Sequence, residues 1–231
     1  MPPSVSQFSK PGYILLDIYE TLLDMTEVEK KMNNLLNSRN GYAIWFELFM
    51  EYCFVDNCID QFNPFPAIAS ATMQMAADML GRKVSGEDSR EVLELLAHLP
   101  VKDGVQEGLS QLNDSGIHIT ALTNSPEKTV FERMERTGLV SYFKNVLSAE
   151  HVGKYKPHID VYRWACNKIK ATPGEVILVS AHGWDIAGAA NAGMQTAYIK
   201  QGRQMIYPLA PLPTFTCKNL VELAQQLKMA K

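Results

Sequence analysis

Tyr13-Ile14-Leu15-Leu16-Asp17-Ile18-Tyr19-Glu20-Thr21 is the most telling segment of the chain. Its first four residues form an apolar run with no polar alternation, ending at an aspartate. Such a run suits a central parallel strand buried on both faces. The aspartate then stands at the strand's carboxyl end, where open parallel sheets bind their ligands.

Outward from this strand the pattern is helical for about eighty residues. A first helix begins near Thr26 and fades at the turn-rich Asn37-Ser38-Arg39-Asn40-Gly41. A second, over residues 42–57, is apolar on nearly all sides, so other elements or another subunit must cover it. Residues 66–80 and 89–98 supply two more. From Val101 onward helix and strand alternate: helix 105–112, strand 117–122, a helix opened by Ser125 as N-cap with Pro126 at its first position, and a short strand 145–147. Helix 159–170, strand 176–180, a helix near Trp184, strand 196–199 and a last helix 220–229 follow. Alternation of this kind predicts an α/β fold, a Rossmann-like parallel sheet with helices on both faces. The long helical interruption predicts an inserted helical cap. The expected organisation is a core of residues 1–21 plus 101–231 and a cap of residues 22–100.

Composition fits this layout. A chain of 231 residues, 46% hydrophobic and 20% charged, can bury a sizeable core. Its 22 basic and 25 acidic residues form no basic stripe, which argues against a nucleic-acid partner. Residues 1–10 carry no secretory signal pattern. The most apolar stretch, residues 43–55, is broken by Glu47 and Glu51 and is too short to span a bilayer. Four cysteines without a Cys-x-x-Cys pair indicate reduced thiols, hence a cytoplasmic protein with neither disulfide framework nor zinc site.

Polar residues gather at the predicted strand ends: Asp17 to Thr21, Thr123 to Ser125, Lys154 to Lys156, and Ser180 to Asp185. Taken singly, each has an ordinary explanation, such as a turn aspartate, a solvated lysine or an acid in the first turn of a helix. Their conjunction is what points to a site. Asp17 would be a nucleophile or metal ligand, and Lys156 would keep it ionised. Thr123 and Asn124 precede a helix amino terminus able to bind an anion.

In that order and spacing, the motifs resemble those of the haloacid dehalogenase superfamily. Asp17-Ile18-Tyr19-Glu20-Thr21-Leu22 is similar to its first motif, Thr123-Asn124 to the second, Lys156-Pro157 to the third, and Ser180-Ala181-His182-Gly183-Trp184-Asp185 to the fourth. Tyr19, Lys156 with Tyr162, and Trp184-Asp185 resemble the type II 2-haloacid dehalogenases in particular. The resemblance implies catalytic roles for Asp17, Thr21, Lys156, Ser180 and Asp185. Substrate-facing or supporting roles fall to Tyr19, Phe46, Thr123, Asn124, Tyr162, His182 and Trp184. It implies a short 2-haloacid or a related small carboxylate as substrate, no cofactor and no metal, and it suggests a homodimer. Tyr19 stands where superfamily phosphatases place a second aspartate to protonate a departing alkoxide, whereas a halide leaves without a proton. Displacement at carbon is therefore favoured over the alternative of a magnesium-dependent phosphatase.

Two departures shape a further alternative, a catalytically idle anion- or partner-binding member of the fold. The family carries a cap arginine just after a tryptophan; aligned through Trp45, that position is Phe46 here. Losing such a guanidinium would cost about 3–4 kcal/mol, by analogy with deleted oxyanion-hole donors. Arg39 is the nearest replacement in sequence. The second departure is His182, where family members carry asparagine.

Overall fold

β1 (Tyr13–Leu16) is the strand expected before Asp17, with Ile14, Leu15 and Leu16 fully buried. The structure is a computed structural model describing residues 11–202 and 204–229. The stretch 1–10, with its expected lack of a secretory signal, lies outside the described residues. β1 pairs in parallel with β2 (His118–Thr123) on one side and β4 (Val176–Ser180) on the other. β3 (Asn145–Ser148), β5 (Gln195–Ile199) and β6 (Phe215–Cys217) complete an all-parallel sheet of order β3-β2-β1-β4-β5-β6. The chain reverses its direction of travel between β1 and β4, and the crevice at such a reversal is where parallel sheets place ligands.

Successive residues of β1 face opposite sides of the sheet, and each side has its own core. Ile14 and Leu16 join one cluster with residues of α5 (Val105–Asp114), α6 (Glu127–Arg136) and α9 (Leu220–Met229). Leu15 joins the other with residues of α7 (Ile159–Ile169) and α8 (Gly183–Asn191). The unbroken apolar run is thus explained by burial on both faces, as expected for this α/β architecture.

Four helices lie between β1 and α5: α1 (Thr26–Leu35), α2 (Gly41–Cys58), α3 (Phe65–Met79) and α4 (Gly86–Ala97). The two chain crossings that bound them are paired, Leu23 bridging Val101 and the Asp24 amide donating to Pro100 O at 2.9 Å. α2 buries Trp45, Phe49 and Cys53 against α1 and α3, and Trp45 Nε1 donates to Ala69 O at 3.0 Å. Its all-round apolar surface is covered largely from within the chain. No helix among the described residues is long and apolar enough to cross a membrane.

Several boundaries differ from expectation for identifiable reasons. α4 opens at Gly86, three residues before Ser89, because Ser85 and Asp88 form a reciprocal capping box. α6 starts at Glu127 with Pro126 itself as N-cap, not Ser125: Pro126 sits at ψ 135°, outside the helix, and Ser125 caps nothing. β6 was not foreseen, since Phe-Thr-Cys is too short to show a pattern.

Candidate active site

The carboxyl ends of β1, β2 and β4 bring Asp17, Thr123 and Ser180 to one edge of the sheet, and the Lys156 loop follows β3. Asp17 continues the β1 ladder, its amide donating to Val179 O at 3.0 Å. Its carboxylate is nearly buried and fully engaged. Lys156 Nζ donates to Oδ1 at 2.8 Å, while the Thr21 hydroxyl and His182 Nδ1 donate to Oδ2 at 2.7 and 3.1 Å. Burial pushes the Asp17 pKa up, but Lys156 and His182 outweigh it and hold the carboxyl well below the usual carboxylate range. Asp17 is therefore an anion at every physiological pH.

Lys156 stands between two carboxylates. Its ammonium donates to Asp185 Oδ2 at 2.8 Å and to Leu122 O at 3.0 Å, so its three protons are all used. Burial lowers its pKa, and the two aspartates more than reverse that. The Asn124 side chain fixes the lysine's backbone from both sides, accepting from Lys156 N at 2.8 Å and donating to Lys156 O at 3.3 Å. The Tyr162 hydroxyl donates to Asp185 Oδ1 at 2.6 Å; burial and the adjacent Asp185 charge keep the phenol protonated.

His182 bridges two acids, since its Nε2 lies 2.8 Å from Glu20 Oε2. Burial alone would lower its pKa, but the hydrogen bonds to Asp17 and Glu20 prevail and push it up to about 9. The imidazole is accordingly a cation that donates from both nitrogens. Ser180 Oγ accepts from the His182 amide at 3.1 Å and so reaches Asp17 only through the histidine. Glu20 is a site residue that sequence reasoning passed over. Its carboxylate also accepts from Tyr42 at 2.7 Å and from Gln204 at 2.9 Å, and its backbone takes the left-handed region at φ 56°.

Above this network lies a cavity of about 270 Å³. Tyr19, Phe46, Thr123, Asn124 and Trp184 all line it. Phe46 stacks on His182 with ring centroids 6.0 Å apart, and Trp184 stacks on the same histidine at 4.9 Å. Trp45, Phe49, Phe65 and Leu96 are among the residues that complete its apolar wall. Thr123 Oγ1 accepts from the Ser125 amide at 3.1 Å. Arg39 is exposed and does not line the cavity. Arg133, which the sequence reading did not select, does line it. The available signal was its spacing, since Val130, Arg133 and Met134 share the buried face of α6. Among the described residues no group of three His, Cys, Asp or Glu side chains is arranged to hold a metal ion.

Chemically, this is an ionised carboxylate, pinned by two cations and a hydroxyl, at the floor of an apolar chamber. Known proteins resemble the chain in sequence and in fold. The chain is 24% identical over 221 residues to (S)-2-haloacid dehalogenase 2 of Pseudomonas sp. (strain CBS-3), covering 94% of this chain and 96% of that one. It is 26% identical to (S)-2-haloacid dehalogenase 4A of Burkholderia cepacia, over 86% of this chain and 87% of that one. The fold is similar to that of the L-2-haloacid dehalogenase from Xanthobacter autotrophicus with chloropropionic acid covalently bound. There the TM-score is 0.85 at 19% identity, with 94% of this chain and 98% of that chain covered. The sequence profile of haloacid dehalogenase-like hydrolases matches residues 14–199, from within β1 to the end of β5, and the chain belongs to that family.

Proposed function

We propose that this chain is a metal-independent 2-haloacid dehalogenase in which Asp17 is the nucleophile. The observation that carries the reading is Asp17 itself, a buried carboxylate kept anionic by Lys156 and opening on an apolar chamber, with Tyr19 rather than an acid two residues on. An Asp17 oxygen forms a bond to the α-carbon as the carbon–halogen bond breaks, and the halide leaves with the electron pair. Water then opens the resulting ester, giving a 2-hydroxy acid, a proton and the restored Asp17 carboxylate. Exclusion of bulk water by Phe46, Trp184 and Phe49 strengthens the charge interactions around the reacting atoms.

Within this proposal Thr21 and Lys156 orient Asp17, and Asp185, held by Lys156 and Tyr162, orients the hydrolytic water. Ser180 and His182 support the network from β4. Thr123 and the amides after it face the substrate, and Asn124 positions Lys156. Residues 22–100 act as a cap; the paired crossings at Leu23 and Val101 support treating them as one inserted unit. The names of the haloacid dehalogenase relatives support the substrate class.

The same proposal places the protein in the cytoplasm, which its four free cysteines support, and makes it a homodimer. Sedimentation at micromolar concentration should give about twice the 25.9 kDa chain mass; a strict monomer would remove the dimer from the reading. The chemical test is halide release across chloroacetate and L-2-chloropropionate. Wild-type protein should release halide and the Asp17→Asn variant should not. Equal background rates from both would end the dehalogenase reading.

A further inference from the structure

We infer that Arg133 is the carboxylate anchor of the substrate chamber. The inference deepens the proposed function and rests on it for the identity of the substrate. Arg133 is 1% exposed, on the core-facing side of α6. Its Nε donates to Ala97 O at the end of α4, at 3.3 Å, and its guanidinium carbon lies 4.7 Å from the centre of the Tyr19 ring. These two contacts fix the plane of the group. Both terminal nitrogens, Nη1 and Nη2, are buried without a hydrogen-bond partner. None of the ion pairs among the described residues involves Arg133, and the side chain lines the same chamber as Asp17 and Lys156.

A buried cation with no anionic partner is costly, and proteins rarely keep one unless a ligand compensates it. The charges deeper in the site compensate one another: Lys156 serves Asp17 and Asp185, and His182 serves Asp17 and Glu20. Arg133 is the one that has an unused hydrogen-bonding edge. That edge is a planar pair of amino groups, which matches the two oxygens of a carboxylate better than a spherical halide. Ser125 also lines the chamber, and its buried hydroxyl is a second polar group without a partner. With walls of Trp45, Phe46, Phe49 and Phe65, the chamber suits a monocarboxylate with an apolar body.

The test separates anchoring from turnover. Binding of butyrate, which cannot react, is followed by quenching of the chamber tryptophans in wild-type protein, Arg133→Met and Arg133→Lys, with butyramide as the neutral control and bromide as the competing anion. Butyrate should bind about tenfold or more weakly to Arg133→Met and with intermediate affinity to Arg133→Lys, while butyramide is indifferent to both changes. In turnover, KM for L-2-chlorobutyrate should rise by a similar factor. Arg133→Met should fold, because it removes an uncompensated buried charge; if melting shows otherwise, Arg133→Lys carries the comparison. Butyrate binding unchanged in both variants, no binding to wild type, or Arg133-dependent binding of bromide alone would each overturn the anchor. Arg133-dependent butyrate binding without halide release from any 2-haloacid would sustain the anchor and sink the dehalogenase reading. Halide release with an unchanged KM in both variants would do the reverse.

Discussion

His182 takes a position between Asp17 and Glu20 that makes it a cation in the folded protein. Its pKa rises from 6.5 to about 9 because two carboxylates hold its protons against the cost of burial. The native state therefore binds a proton that the unfolded chain has released across that interval. Stability from this group is fully present below pH 6.5 and is lost as pH rises through about 9. Unfolding of wild type and His182→Asn, compared by urea titration across this window, should show their stability difference shrinking with rising pH. A difference independent of pH would contradict the doubly paired imidazolium. Glu20 and Arg133 belong to the same scale; Glu20 was not legible in the sequence, and helical spacing marks Arg133 as buried without showing what it faces. The ring nitrogen facing Glu20 lies 162 positions away and the carbonyl facing Arg133 Nε lies 36 positions away. Only the fold supplies those neighbours, whereas Asp17 and Lys156 were legible because strand ends and motif order announced them.

At the scale of elements, α8 and the Lys156 turn meet with no space to spare. A Cβ at Gly188 would lie 2.6 Å from Pro157 Cβ and 2.7 Å from the Tyr162 hydroxyl, the group that holds Asp185. Gly188→Ala must push one of them away. The change should cost about 1–3 kcal/mol of stability, as overpacking does, and should reduce activity by loosening Asp185 and Lys156 together. Thermal unfolding and steady-state kinetics on one preparation check this; wild-type stability and rate would show that the contact yields freely. Elements with strong local pattern were readable in advance, β1 from its unbroken apolar run and α1 to α4 from helical spacing. β6 and the start of α6 were not. A three-residue strand depends on its partner β5 rather than on its own sequence, and Pro126 takes the cap position from Ser125 through its extended backbone.

Across the whole molecule, the parallel order of the sheet, the two cores on its faces and the four helices between β1 and α5 serve one geometrical end. The strands carry charge to a single edge and fix it there, and α2, α3 and α4 roof it with apolar side chains. This architecture follows from patterns visible along the chain, while the closing of the roof over Asp17 depends on packing between segments far apart in sequence. On the proposed function, this enclosed carboxylate makes a covalent bond to carbon. Intact-protein mass spectrometry after rapid acid quenching with chloroacetate, with mapping of the Asp17 peptide, tests it most directly. An ester on Asp17 should form as chloride is released and disappear as substrate is exhausted. Folded wild-type protein that releases chloride without ever carrying that ester, or that does neither, would contradict it.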